Sequence, residues 1–238
     1  MAKIKKKAAR TQMKTQEDIR SIAESVADVY RSRRNQFNAA LTLIAIVILG
    51  AIAFSMLAEN KEKKASEMLD GAYLAAGRGG AAPANYPLAL QRFQDVAKQY
   101  GGTLSGAVAR FEAGNTYAQM GQYEPALREY QKCVTERGKD RFLVPFVYQR
   151  MGYAYLALGK HDDAVSAFSK AESVGGAGPA TVELARLYDQ AGNMAEAIKK
   201  YKEVSEKLSS TSWAVEARVK LPPPVMQAPA TAPAETAR

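Results

Sequence analysis

Apolar positions recur at helical spacing along almost the whole chain, and they do so in three successive regimes. In the first, Ile19, Ile22, Ala23, Val26, Val29 and Tyr30 return every three or four residues with Arg20, Glu24 and Asp28 between them. That pattern predicts an amphipathic helix. Thr15 followed by Asp18 has the character of its N-terminal cap, and Arg31, Arg33 and Arg34 close it. Its apolar stripe suits either an anionic lipid surface or a partner, and periodicity alone does not choose. Residues 1–14 are basic and poor in large apolar groups, so no packed structure is expected there.

The second regime has no polar face. Between Arg34 and Glu59 there is no charged residue, and residues 39–58 include ten Leu, Ile, Val or Phe. Twenty residues at about 1.5 Å each cover roughly 30 Å, the hydrocarbon thickness of a bilayer. Insertion as a transmembrane helix is the expectation. A cleavable signal would have a shorter leader and a shorter apolar core, although Met56-Leu57-Ala58 resembles a weak cleavage site. A buried core helix is disfavoured because no other segment is so continuously apolar.

The third regime is a unit of apolar helix, tight turn and apolar helix, repeated over residues 107–136, 145–172 and 179–207. Aligned on Gly121, Gly159 and Gly192, the copies place Gly114, Gly152 and Ala185 seven residues upstream, and Tyr117, Tyr155 and Tyr188 four upstream. Downstream come Ala126, Ala164 and Ala197, then the aromatics Tyr130, Phe168 and Tyr201, then Cys133, Ala171 and Val204. The small residues predict helix crossings where backbones approach closely. The aromatics are expected to fill space between successive hairpins, and the turn glycines to adopt a left-handed conformation. One hairpin cannot cover its own apolar face, so stacking is required.

The turn glycines lie 38 and then 33 residues apart, and this motif resembles the tetratricopeptide-repeat family from about residue 86 to 221. The resemblance implies an all-α solenoid of helical hairpins, preceded here by one N-terminal transmembrane helix. The expected layout is a basic tail with its amphipathic helix at 1–38, the membrane helix at 39–58 and a repeat domain at 59–221. Within that domain, 59–100 is read as a degenerate repeat, because Tyr86, Ala89, Phe93 and Val96 fill the slots of Tyr123, Ala126, Tyr130 and Cys133. A flexible loop is expected at 77–85. Full repeats follow at 107–140, 145–177 and 178–210, with Pro179 in the first turn of its helix and a capping helix at 211–221. The Pro/Ala-rich residues 222–238 are expected to lack packed structure.

Charge and composition change this picture little. Of the net +9, residues 1–38 carry +6, from ten Lys and Arg against four Asp and Glu. A basic tail beside a membrane helix sets topology or touches anionic lipid, so no nucleic-acid partner is expected. The flanks of the apolar run are balanced by Lys61, Lys63 and Lys64, but the whole tail favours a cytoplasmic N-terminus with the repeats exported. The single Cys133 takes a core slot, and His161 takes the turn slot of Tyr123 and Met194. Asp162 and Asp163 stand at a helix start, where they favour the helix dipole. No phosphate-cradling loop, metal-ligand spacing or nucleophile beside a histidine is present in the sequence, so neither enzyme activity nor a cofactor is expected.

The layout also resembles the YfgM type of bacterial inner-membrane tetratricopeptide protein. That resemblance implies an ancillary translocon subunit with a periplasmic, chaperone-type repeat domain, whose partners are translocon subunits, a foldase or chaperone, or client polypeptides. A scaffold for an envelope assembly, in secretion, motility or cytochrome maturation, is the alternative. In the family fold the first helix of each hairpin lines a concave groove. The residues assigned to it here are Phe111, Asn115, Ala118 and Gln119, then Gln149, Tyr153 and Leu156, then Arg186, Asp189 and Gln190. Phe111 and Tyr153 serve equally well as packing residues. Phe111 and Pro179 stand where a carboxylate-holding member would place lysines, and an apolar, amide-lined groove suits extended polypeptide.

Overall fold

The structure, a computed structural model, describes residues 19–28, 30–78, 84–138 and 140–223. The expectations for residues 1–14, the Thr15 cap, the loop centre at 79–83 and the tail from 224 fall outside the described residues. The chain divides into two compact units between Asn60 and Lys61.

In the first unit, residues 19–28 and 30–32 are helical (α1) and leave Ile19, Ile22 and Val26 exposed. Helix α2 (Arg34–Ala75) contains an 18-residue window of mean hydropathy 2.6, none of it buried within the protein. Among the described residues this one helix is long and apolar enough to cross a membrane. The two hydroxyl side chains within residues 39–58 are turned inward on the backbone: Thr42 donates to the Asn38 carbonyl and Ser55 to the Ile52 carbonyl, each at 2.8 Å. Over that stretch the helix surface therefore presents little besides hydrocarbon.

The second unit holds the end of α2 followed by α3 (Tyr86–Tyr100), α4 (Leu104–Gln119), α5 (Tyr123–Arg137), α6 (Val144–Ala157), α7 (His161–Gly175), α8 (Pro179–Gln190), α9 (Met194–Lys207) and α10 (Ser212–Lys220). Among the described residues there is no strand. Helices α4 and α5, α6 and α7, and α8 and α9 form the three hairpins, stacked in chain order.

Each hairpin turns through the same device. Gly121, Gly159 and Gly192 have φ of +73°, +70° and +72°. The amide of each glycine donates three residues back, to Ala118, Leu156 or Asp189. The next amide donates five residues back, to the carbonyl of Tyr117, Tyr155 or Tyr188, at 2.9 Å in all three. This paired closure satisfies carbonyls that a helix end otherwise leaves open, and a β-carbon resists the φ it requires. Helix α2 ends in the same way: Gly77 has φ +78°, its amide reaches Leu74, and the Arg78 amide reaches Tyr73. Tyr73 thus takes the place that Tyr117 holds in the first full hairpin, and its ring meets Phe93 of α3 edge-on at 5.5 Å.

The crossings are as close as the small residues predict. A β-carbon on Gly114 would lie 2.5 Å from the Tyr130 ring, and one on Gly152 would lie 2.6 Å from the Phe168 ring. Both rings are essentially fully buried. The placement differs in one respect from the sequence expectation. Each aromatic seats on the glycine of its own hairpin, and Tyr130 also belongs with Val147 and Met151 of the next hairpin to one core cluster. Cys133 is buried in the same cluster with its thiol toward the Ala107 carbonyl, and desolvation pushes that thiol up to about 12. His161 and Met194 are exposed at their turns, while Tyr123 is half-buried.

Two polar ties fix the ends of the stack. Glu62 of α2 receives the Leu104 amide (2.7 Å), the Ser105 amide (2.9 Å) and the Ser105 hydroxyl (2.6 Å), capping the N-terminus of α4. Burial raises its carboxyl pKa, but these hydrogen bonds outweigh burial and hold it below the ordinary value. At the other end α10 lies against α9 and is tied to α8 by polar contacts. Arg186 grips both oxygens of Glu216 at 2.8 and 2.6 Å, and Lys220 donates to Asp189 at 2.8 Å. The bond from Arg186 holds Glu216 below the usual carboxylate range, and the bond from Lys220 does the same for Asp189.

Two outcomes follow. Gly152→Ala should destabilise the repeat unit by about 1–3 kcal/mol through overpacking against Phe168. Thermal melting checks this, and pairing the change with Phe168→Leu should restore part of the loss. The second concerns acid. Because Glu216 and Asp189 have depressed pKa values when folded, their contribution to α10 docking is complete above the ordinary carboxylate range of about 4. It is lost as the pH falls through the depressed values. Trp213, the single tryptophan, sits half-buried on α10 against the terminal core cluster. Its emission should shift to the red in that acid window, before helicity is lost, and Glu216→Gln should produce the shift at neutral pH.

Candidate protein-binding groove

The first helices of adjacent hairpins face each other across a cleft of about 370 Å³. From α4 come Asn115, Ala118 and Gln119, and from α6 come Arg150, Tyr153, Ala154 and Ala157. Tyr123 and Tyr130 of α5 form its base, and Arg78, just past the end of α2, forms one wall. The turn geometry explains this gathering. Each paired closure at the glycine ends the first helix at the same level, so the final turns of α4 and α6 present equivalent residues side by side.

Asn115 is oriented from both sides. Its Oδ1 accepts from the Tyr130 hydroxyl at 2.8 Å, and its Nδ2 donates to Glu112 at 3.1 Å. Glu112 is only 8% exposed and also receives Arg78 at 3.0 Å and the Tyr73 hydroxyl at 3.5 Å. Arg78 lies 4.5 Å over the Tyr73 ring, a cation–π contact that holds the guanidinium at the cleft wall. A buried carboxylate with three donors fixes this corner, because losing Arg78 would leave its charge uncompensated and losing either neutral donor would leave an oxygen short of a partner. Across the cleft Arg150 is exposed and, among the described residues, forms no hydrogen bond or ion pair.

Tyr153 has two attachments. Its ring meets Phe168 edge-on at 5.2 Å, while its hydroxyl donates to Glu183 of α8 at 3.3 Å and accepts from Gln149 at 3.4 Å. Desolvation first, and then Glu183, raise its phenol pKa, and desolvation raises that of Tyr130 further still. Both phenols therefore stay protonated and act as hydrogen-bond donors. The cleft offers amides, phenols and two guanidinium groups, a donor-rich lining suited to carbonyls and carboxylates of a polypeptide.

The ten residues assigned to the groove from sequence do not all share one surface. Asn115, Ala118, Gln119 and Tyr153 line the cleft. Phe111 packs 6.0 Å from the Tyr130 ring and is half-buried in the core cluster beside it. Leu156 is likewise half-buried, against the next cluster, and Gln149 lines a second cleft near the helix starts. Arg186 and Asp189 are engaged by α10, and Gln190 is exposed beside them. Sequence reasoning missed Arg78, Tyr123, Tyr130 and Arg150. The repeat register offered a signal for Tyr130, which shares its slot with Phe168, but none for Arg78, which arrives from the irregular first hairpin.

Tetratricopeptide-repeat family models match residues 107–140 and 147–174, and a second such model matches 180–209. Among curated proteins no sequence matches this chain. Among solved structures, a tetratricopeptide repeat protein from Parabacteroides merdae superposes with a TM-score of 0.56 at 14% identity, over 66% of this chain and 59% of its own. This chain therefore spans less than two thirds of that protein. MamA protein gives 0.50 at 18% identity, over 66% of this chain and 81% of its own. PilW, a type IV pilus biogenesis factor, gives 0.52 at 15%, over 65% and 67%. At such identities the likeness is one of fold, and no enzymatic family is indicated. The hairpins at 107–140, 147–174 and 180–209 match tetratricopeptide repeats and are carried in an all-α stack, and repeats of this kind imply a scaffold for protein–protein interaction.

Proposed function

We propose that this chain is a membrane-anchored adaptor whose concave cleft takes an extended stretch of a partner polypeptide. The observation that carries the reading is the pair of guanidinium groups, Arg78 and Arg150, beside a fixed amide at Asn115 and a free one at Gln119. Extended backbone presents a carbonyl every residue, and such donors meet it without demanding one side-chain sequence. The arginines add a preference for segments containing Asp or Glu. The partner context follows the layout of one apolar helix and then repeats: an ancillary subunit beside a protein translocon, with the repeat domain on the far side of a bacterial inner membrane and clients or a chaperone in the cleft. The basic residues before the span support that orientation.

Gln119 and Arg150 are exposed, so Gln119→Ala with Arg150→Ala should leave the melting temperature unchanged. Capture of partner polypeptide after mild crosslinking should fall on the order of tenfold, the scale of about 1.4 kcal/mol of interface energy. Undiminished capture by the double variant would move the interface elsewhere. Translocon subunits with many clients among the captured proteins would support the ancillary role, whereas a few fixed subunits would favour an assembly scaffold. Protease added to spheroplasts should degrade the repeats and spare residues 1–38. Protection of the repeats would reverse the orientation.

A further inference from the structure

The spacing between the first two turn glycines exceeds that between the second and third, and most of the extra length lies between α5 and α6, the rest in a longer α6. It is not slack. The Asp140 carboxylate accepts the amides of Phe142 (2.9 Å) and Leu143 (3.0 Å), folding residues 141–143 into a turn at the head of α6. That turn displays Phe142, 88% exposed, one helical turn before Phe146, 59% exposed. Two large aromatic side chains so open to water cost free energy unless something covers them.

Between them and the start of α8 lies a second cleft of about 290 Å³, separate from the one that carries the proposed partner site. Its walls are Phe142, Phe146 and Pro179, the Gly175–Gly178 joint forms its edge, and Arg141 and Gln149 supply its polar groups. At Gly176 and Gly178 nothing lies within 4 Å of where a β-carbon would stand, so backbone can approach the joint closely. Aromatic walls with a few donors at the rim are the recognition surface for a polyproline II segment. Proline rings stack on the aromatics, and the carbonyls, which that conformation leaves unpaired, accept from the donors.

We infer that this cleft is the intramolecular docking site of the chain's own proline-rich segment, residues 224–238. Half of the chain's ten prolines fall at 222, 223, 224, 229 and 233, the last three within this segment, and Glu235 and Arg238 are the only charged residues after Pro222. The reach is sufficient. Lys220 is held at Asp189, and from Asp189 back along α8 to Pro179 is ten residues, about 15 Å. Residues 224–238 span roughly 46 Å at about 3.1 Å per residue in the extended proline conformation. A segment tethered this near is present at an effective concentration in the millimolar range, which favours it over the same segment of another copy.

The test uses the full chain in detergent with a photo-crosslinking amino acid in place of Arg141. Irradiation should give a monomeric adduct whose cleaved peptides join the Arg141 position to residues 224–238. Phe142→Ala with Phe146→Ala should reduce that adduct by about tenfold or more, as loss of two aromatic contacts implies. Both side chains are exposed, so the fold survives and far-UV circular dichroism stays unchanged. An adduct joining two chains would make a second copy the occupant and overturn the proposal. So would an adduct to any other segment, or none at all. No partner protein is present, so the result stands apart from whether the concave cleft binds one.

Discussion

The fit of one aromatic ring onto one glycine, made between the two helices of a hairpin, is the constraint on which the stack rests. Tyr130 on Gly114 and Phe168 on Gly152 leave no room for a single methyl group. Each ring is fully buried, a contribution of about 1.5–3 kcal/mol, and it sets how closely and at what level the helices cross. The third hairpin meets the same need with Ala185 against Tyr201 in its cluster. Because Tyr130 shares one buried core cluster with Val147 and Met151 of α6, the fit inside one hairpin bears on where the next one sits. Packing within repeats and packing between them are thereby one problem.

The glycine-centred helix ends work with these crossings. They stop each first helix at a tyrosine carbonyl, so that equivalent residues of α4 and α6 come level and a cleft forms between their last turns. Helix α2 stops in the same manner at Gly77, which sends the chain to Arg78 and from there into the polar cluster around Glu112. That cluster is costly to bury and is stable only because the three partners of Glu112 are all present. Its consequence is a fixed Asn115 and a guanidinium held at the cleft wall.

The surface of the stack is divided. An open, donor-rich cleft lies between α4 and α6, α10 engages Arg186 and Asp189 of α8, and an aromatic pair at the head of α6 stands beside a glycine-lined joint. The end helix supplies acidic and basic partners to two residues, Arg186 and Asp189, that the repeat register had assigned to the groove. A stack of three repeats therefore offers less free groove than its number of hairpins suggests.

The sequence by itself determined the helical hairpins, their register and the apolar span. Those features come from local rules: glycine is the residue that takes φ near +70°, small residues sit where helices cross, and an uncharged run of twenty suits hydrocarbon. Asn115, Gln119 and Tyr153 were legible as cleft residues because they follow that register. Arg78 was not, since it lies outside the regular repeat and reaches the cleft through contacts with Glu112 and Tyr73, distant in sequence. Nor could periodicity tell that Arg186 and Asp189 face α10 or that Phe111 is partly core. A repeat pattern specifies what every hairpin does alike, and only the tertiary structure decides what an irregular loop and a terminal helix do to the surface the repeats create.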